Sequence, residues 1–467
     1  MPMSAEPGFR PPETVMVPTI SVPLSGMRRR AAIASVLAAM AAAVLDASSI
    51  NIALPSIAQA LDVEPSRAAW LVIVYQGALV AGLLPLAAIG ERFGYRSTFV
   101  AGTALFGLSA VASAMAPGIV LLVIFRVLQG IGAASIMALG VALLRRTVAE
   151  DEFAKAIGWN AMTVALLSAA GPTIGALLLN LGSWRFVFAG SVLLAGVALV
   201  AARGLPSHRQ ERKPLDAIGI LAYAGVVPAF VVAAGIARLS VFLGALILAA
   251  GVTGFWLLVR RDFRRASPFL PLALFRSPSF TRSVLASVAC FSALGLALLI
   301  LPFALHDRLG LTAQATAFMM TPWPLAVLVT TPFTARLLDR IHPARLCAVG
   351  ALVLAFGLAA LAAAPLGWSA PVYLSGITLC GIGFGLFQTP NNRTMFLAAP
   401  ADRAASAGGV QGTARLTGQV TGALIASILL SVTPVGAAAS IAFGVAALAA
   451  CASAGISQSN ESTKVSY

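Results

Sequence analysis

Charge is scarce in this sequence. Only 10% of its 467 residues are Asp, Glu, Lys or Arg, while 59% are hydrophobic; an ordinary soluble domain carries roughly 25% charged residues. A chain of this length cannot hide so much apolar surface in a core bathed by water. Most of its solvent is therefore lipid, and a water-soluble enzyme is excluded. Lysine occurs only at Lys155, Lys213 and Lys464 and never follows a glycine, which excludes a Walker A nucleotide loop. The three histidines (His208, His306, His342) fall outside the apolar runs, and no nucleophile–base or metal spacing is present. A membrane-embedded enzyme or sensor thus has little support, and no metal or cofactor is expected. Cys290, Cys347, Cys380 and Cys451 lie in or beside apolar runs without paired spacing, and read as small buried hydrophobes. Acids are scarce too, 16 against 31 basic residues. In a membrane chain such a basic excess belongs to cytoplasmic loops and does not signal nucleic acid.

What is abundant is long apolar sequence. About 20 such residues cross a bilayer. The runs give fourteen expected spans, at roughly 31–54, 69–89, 98–116, 119–143, 154–180, 185–203, 216–237, 240–260, 281–304, 313–338, 345–364, 370–396, 404–432 and 434–455. With the N-terminus inside, 25 basic residues fall in inside segments and four outside (Arg67, Arg185, Arg238, Arg308), which supports both the even count and the orientation. Residues 1–30, Pro-rich and ending in Arg28-Arg29-Arg30, read as a disordered cytoplasmic tail, because the apolar run behind them is too long for a signal peptide. Residues 456–467 read as a second cytoplasmic tail. Both termini are expected in the cytoplasm of a cell whose inner membrane holds the chain.

A shift of 248 residues lays Glu91-Arg92 on Asp339-Arg340, Arg145 on Arg393, and the first span on the ninth. The expectation is an all-α membrane protein of two parallel six-helix halves, 31–204 and 280–455, with two extra spans and basic linkers in 205–279. Parallel six-helix halves hold substrate at their interface in one large class of secondary transporters.

Four segments narrow the reading. Gly90-Glu91-Arg92-Phe93-Gly94-Tyr95-Arg96 follows the second span, and Asp339-Arg340 is its counterpart. An acid and bases at a tight Gly turn can clamp two helix ends in one state and release them in another. Leu45-Asp46-Ala47-Ser48-Ser49-Ile50-Asn51 lies in the first span, Arg126-Val127-Leu128-Gln129-Gly130 in the fourth, and Gly171-Pro172-Thr173-Ile174-Gly175 in the fifth. Together they resemble the major facilitator superfamily, and within it the fourteen-span drug:proton antiporters of the EmrB/QacA type. Ala87, Leu167 and Ala176 depart from the usual glycines of those motifs. The resemblance implies a proton-coupled exporter of amphipathic or cationic compounds. It makes Glu91, Arg92, Gly94, Arg96, Asp339 and Arg340 a conformational gate, and Gly171, Pro172 and Gly175 the antiporter helix.

Asp46 is the one acid placed inside a span. A charge at the bilayer centre costs about 2.5–3.5 kcal/mol, so Asp46 is expected to face protein or a wet cavity. Arg126 lies at similar depth, each about 10–12 Å from the outer end of its span by helical rise. A carboxyl alone in oil holds a proton; beside a guanidinium it gives the proton up. Asp46 is therefore expected to carry the proton and Arg126 to tune it, the alternative being a static ion pair that fixes helix register. Arg415 lies mid-span with no acid nearby in sequence. It either binds backbone carbonyls or meets an anionic group on a substrate. Asn51, Tyr75, Gln76, Gln129, Trp159, Asn160, Trp323, Phe387, Gln388 and Arg415 are the candidate cavity residues. Expected partners are a small-molecule substrate, protons and lipid, with a monomer as the unit and an accessory periplasmic partner left open. The competing reading is a superfamily carrier for one metabolite.

Overall fold

The computed structural model describes residues 26–206, 216–236, 240–265, 269–364, 370–400 and 404–460. Every regular element among them is helical. The first set of spans is α1 (Gly26–Ala60), α2 (Trp70–Phe93), α3 (Tyr95–Ala114), α4 (Ile119–Thr147), α5 (Glu150–Leu179) and α6 (Ala189–Ala201). A pair follows, α7 (Ala217–Ile236) and α8 (Val241–Phe263). The second set is α9 (Pro278–Leu309), α10 (Ala313–Met320 and Pro322–Leu337), α11 (Pro343–Ala363), α12 (Ala370–Leu397), α13 (Ala404–Val432) and α14 (Val435–Ser459).

Thirteen of these are long and apolar enough to cross a membrane as single helices, and α10 makes the fourteenth crossing in two pieces. Its break falls at Thr321, where Pro322 begins the second piece and supplies no backbone donor. Other boundaries follow local chemistry. Gly94 turns α2 into α3 at φ +105°, a conformation that side chains resist. Ser277 caps α9 by accepting from Phe280 N, with Pro278 in the first turn, and Gly310 ends it in the left-handed region.

α1 starts five residues earlier than the apolar run suggests, so Arg28–Arg30 are helical; residues 1–25 lie outside the described residues. So do residues 461–467 of the expected 456–467 tail, the rest of which ends α14, and parts of the 205–279 linkers, including Arg209, Arg212, Lys213 and Arg238.

Each set is closed by the same five helix contacts. In the first, α1 packs on α5 and α6, α4 on α2 and α3, and α3 on α6. In the second, α9 packs on α13 and α14, α12 on α10 and α11, and α11 on α14. Without a hydrophobic driving force in lipid, close backbone approach holds such helices together. A Cβ on Gly130 would come 2.4 Å from Tyr75 O, and one on Gly381 2.3 Å from Trp323 O. The repeat offset is 248 between the starts of α3 and α11 and 251 between those of α4 and α12. The α11–α12 connection is longer, so Arg145 corresponds to Phe396 and not to Arg393.

The sets meet through α1–α9, α2–α13 and α5–α10. α1 and α9 are the most interior spans, with 72% and 67% of their most apolar windows buried, whereas α8 has 17%. α7 leans on α2, and α8 packs on α7, leaving Phe242, Leu246 and Trp256 outward, as lipid permits.

Adding a methyl at Gly381 drives it into the backbone of α10, which cannot step aside. Gly381→Ala is expected to lower stability by about 1–3 kcal/mol. Gly444→Ala, where nothing lies within 4 Å, should be near neutral. Thermal unfolding in detergent with a thiol-reactive dye reads the difference, since Cys290, Cys347 and Cys380 are buried until the fold opens. Equal midpoints for the two variants would contradict this packing argument.

Candidate functional site

Four helices converge on one carboxylate. α1 carries Asp46, α4 carries Arg126 and Gln129 one turn apart on the same face, α2 carries Leu71 and Tyr75, and α6 carries Ser191. Arg126 Nη1 donates to Asp46 Oδ2 at 2.5 Å and to Gln129 Oε1 at 2.8 Å. Gln129 Nε2 donates to Asp46 Oδ1 at 2.9 Å, and Ser191 Oγ stands 3.5 Å from the same oxygen. Arg126 Nε donates to the Leu71 carbonyl at 3.2 Å, and the guanidinium lies 4.2 Å from the Tyr75 ring centroid. Asp46 is 2% exposed, Arg126 and Gln129 not at all. One donor, Arg126 Nη2, is buried without a partner. Charge and countercharge are thus matched in a buried site, with one guanidinium hydrogen-bonding group to spare.

Depth along the helices anticipated the Asp46–Arg126 pair. It did not anticipate that Gln129 and Tyr75, read as cavity residues, belong to that pair, nor that Ser191 reaches it. The i, i+3 spacing from Arg126 was the available signal for Gln129.

The antiporter segment docks beside this group. A Cβ on Gly171 would sit 2.3 Å from Ser48 Cβ, and one on Gly175 3.0 Å from Ser49. Ser49 Oγ donates to the Gly171 carbonyl at 3.1 Å. α5 runs unbroken through Pro172, which withholds one backbone donor at this seam. The motif therefore seats α5 on α1 within one turn of Asp46.

The other cavity candidates spread over the facing helices. Gln76 Oε1 on α2, Asn160 Oδ1 on α5 and Arg415 Nε on α13 are buried without partners. They are the groups a ligand or water would satisfy. Asn51 bonds back to Ala47 O, and Gln388 is half-buried. Trp159 is 37% exposed beneath Lys155, whose Nζ lies 5.4 Å from its ring. Trp323 and Phe387 are core residues, with the Trp323 carbonyl against Gly381 and the Phe387 amide against Gly350. Neither joins the Asp46 group.

Of the loop residues, Glu91 and Arg92 end α2, Gly94 makes the turn, and Arg96 lies in the first turn of α3. Asp339 and Arg340 are exposed in a turn beyond α10, so the two loops differ in form. A second buried acid escaped the sequence reading: Asp262, at the end of α8, accepts from Leu270 N at 2.7 Å. Nearby, Asp216 takes both nitrogens of Arg261, at 2.5 and 2.9 Å, and Arg265 at 2.6 Å. The hydrogen bond from Arg261 holds the Asp216 carboxyl well below the usual carboxylate range and ties α7 to α8.

Among the described residues, four hydrogen bonds join the sets toward the Asp62 end: Gln59–His306 at 3.2 Å, Thr173–Thr321 at 3.1 Å, Asn180–Gln314 at 3.3 Å, and Ser427 to Ser66 O at 3.0 Å. That end is drawn together.

Removing one partner from a buried pair leaves a bare charge in oil, at about 3–5 kcal/mol. Arg126→Ala should therefore lower the unfolding midpoint sharply, and Asp46→Asn combined with Arg126→Ala should recover part of it. A double variant no better than the single one would mean that the pair is not electrostatically coupled.

The family profile described as Major Facilitator Superfamily matches residues 36–423. The uncharacterized transporter YebQ of Escherichia coli is 36% identical over 411 residues, 86% of this chain and 90% of that one. The multidrug resistance protein Stp of Mycobacterium tuberculosis is 30% identical, covering 82% of this chain and 73% of its own. The riboflavin transporter RibZ of Clostridioides difficile is 26% identical over 79% and 81%. Among solved structures, a peptide transporter POT in complex with sulfate superposes with a TM-score of 0.71 at 16% identity, over 94% of this chain and 96% of that one, a likeness of fold.

Proposed function

The chain belongs to the Major Facilitator Superfamily and is a multi-pass membrane transporter; from that premise we propose that it exports amphipathic, cationic compounds in exchange for protons, as a fourteen-span drug:proton antiporter. The observation that carries the reading is the sealed Asp46–Arg126–Gln129 group. While the pair is intact the carboxylate has its countercharge and its hydrogen bonds. When helix motion draws Arg126 away, the buried carboxylate loses its countercharge, and a proton can take the place of the guanidinium. A proton taken up on one side of the membrane is then released on the other when the pair reforms. α5 seats on α1 at Ser48 and Ser49 and reaches across to α10 at Thr321, so it links this site to the seam between sets.

The bonds drawn together at the Asp62 end suit a state closed on that side. With both termini cytoplasmic in an inner membrane, that state faces inward. Glu91, Arg92, Gly94, Arg96, Asp339 and Arg340 then form the gate on the opposite side. The unpartnered Gln76, Asn160 and Arg415 atoms mark where substrate is held. The unit is a monomer, with room for an accessory periplasmic partner. A single proton-carrying carboxyl implies an economy of charge. Exchange of one proton for one monovalent cation moves no net charge, and a one-unit pH gradient sustains about a tenfold substrate gradient.

A second reading is favoured by Arg415, whose buried Nε awaits an acceptor, and by the similarity to a transporter named for riboflavin. It is a carrier for one metabolite with an anionic or carbonyl group, moved in either direction.

Everted vesicles decide between them. Substrate-dependent proton release by cationic dyes, abolished in Asp46→Asn with protein still inserted, is the expected result. Undiminished proton-driven transport in Asp46→Asn would remove the coupling role. Uptake of one anionic metabolite without response to cationic dyes would favour the second reading.

A further inference from the structure

A cavity of about 580 Å³ lies apart from the Asp46 group, on the outer flank of the first set, where α3 begins and α4 and α6 end. Its rim carries Arg96 of α3, Arg146 of α4 and Arg203 just beyond α6. No Asp or Glu lines it among the described residues. The Arg146 guanidinium rests 4.4 Å from the Tyr95 ring centroid, which holds it toward the start of α3. The first backbone N–H groups of α3 add their own preference for an anion. Below the rim the lining changes character. Arg96, Val100 and Ala104 follow one another on one face of α3, and Ala101, Leu143 and Leu199 complete an apolar wall. Eight residues of helix separate Arg96 from Ala104, about 12 Å of depth.

The repeat shows that the fold does not require two of these cations. At the offsets of 248 for α3 and 251 for α4, the second set carries Ala344 and Leu397 where the first carries Arg96 and Arg146.

We propose that this cavity binds an anionic phospholipid. The phosphodiester sits on Arg96, Arg146 and Arg203 at the N-terminus of α3, and an acyl chain follows Val100, Ala104 and Leu199 into the membrane. Three cations at membrane-surface depth match a negative headgroup, and guanidinium groups suit phosphate oxygens. The apolar wall selects lipid over free phosphate, which would leave it unused. A lipid so placed bridges three helices of the first set on the Gly94 side and stiffens the flank behind the loop.

Native mass spectrometry of the purified full chain in detergent tests this, with phosphatidylglycerol as the probe and phosphatidylcholine and inorganic phosphate as comparison arms. Retention of phosphatidylglycerol over phosphatidylcholine is expected. Each substitution Arg96→Gln, Arg146→Gln and Arg203→Gln should weaken it about fivefold. Ala101→Trp, at an exposed wall position, should weaken it with all three cations in place. Arg264→Gln with Arg276→Gln, exposed cations elsewhere, should leave it unchanged. Equal retention in the triple variant overturns the site, and equal loss in the Arg264/Arg276 variant reduces it to general surface charge. Displacement of the lipid by inorganic phosphate, with no effect of Ala101→Trp, overturns the lipid as occupant.

Discussion

An ion pair sealed in oil organises the first half of this molecule. Burying a carboxylate and a guanidinium is tolerated only if each finds the other and the remaining hydrogen-bonding groups are met. Asp46 on α1 therefore fixes where α4 must stand, because Arg126 is its countercharge. α4 in turn fixes α2, through the Leu71 carbonyl and the Tyr75 ring, and α6 closes over the carboxylate with Ser191. The glycines allow this convergence. Without Cβ atoms at Gly130 and Gly171, α4 and α5 approach α2 and α1 closely enough for short polar side chains to meet.

The second set repeats the packing and omits the chemistry. At the 251-residue offset between α4 and α12, Arg126 and Gln129 correspond to Ile377 and Cys380, both buried. The Gly102–Gly132 approach recurs at Gly350–Gly383, backbone against backbone. The same helix geometry is thus held by apolar contact on one side and by charge on the other. A pair that can separate and reform is useful in a moving part. A hydrophobic core of the same shape has no state to switch.

The spans were legible because lipid imposes a length on apolar runs and arginines punctuate them, so all fourteen crossings could be found from sequence. The break of α10 at Thr321 was not, since Pro302, Pro332 and Pro390 lie inside unbroken helices. Whether a proline breaks a helix depends on its neighbours. The Asp46–Arg126 contact was legible from matching depth together with the family resemblance, which makes the first and fourth spans neighbours, because charges in oil must pair. Gln129, Tyr75 and Ser191 required the rotation of each helix about its axis, which a nearly uniform apolar sequence does not encode. For the same reason Trp323 and Phe387, equally plausible as cavity residues by type, turned out to pack in the core. The repeat offset drifted where a connection lengthened, which moved Arg145 off Arg393.

The α7–α8 pair has a mechanical consequence. Val231 lies against Gly77, the Gly235 backbone lies beneath the Trp70 ring, and Tyr223 reaches the Val80 carbonyl, so the pair is bolted to α2. α8 beyond it faces almost entirely outward. Any tilt of the first six helices against the last six must sweep this outrigger sideways through acyl chains. The turnover of such a machine would then be paced by how readily its bilayer flows, and a stiffer membrane would slow it even if every residue inside were unchanged.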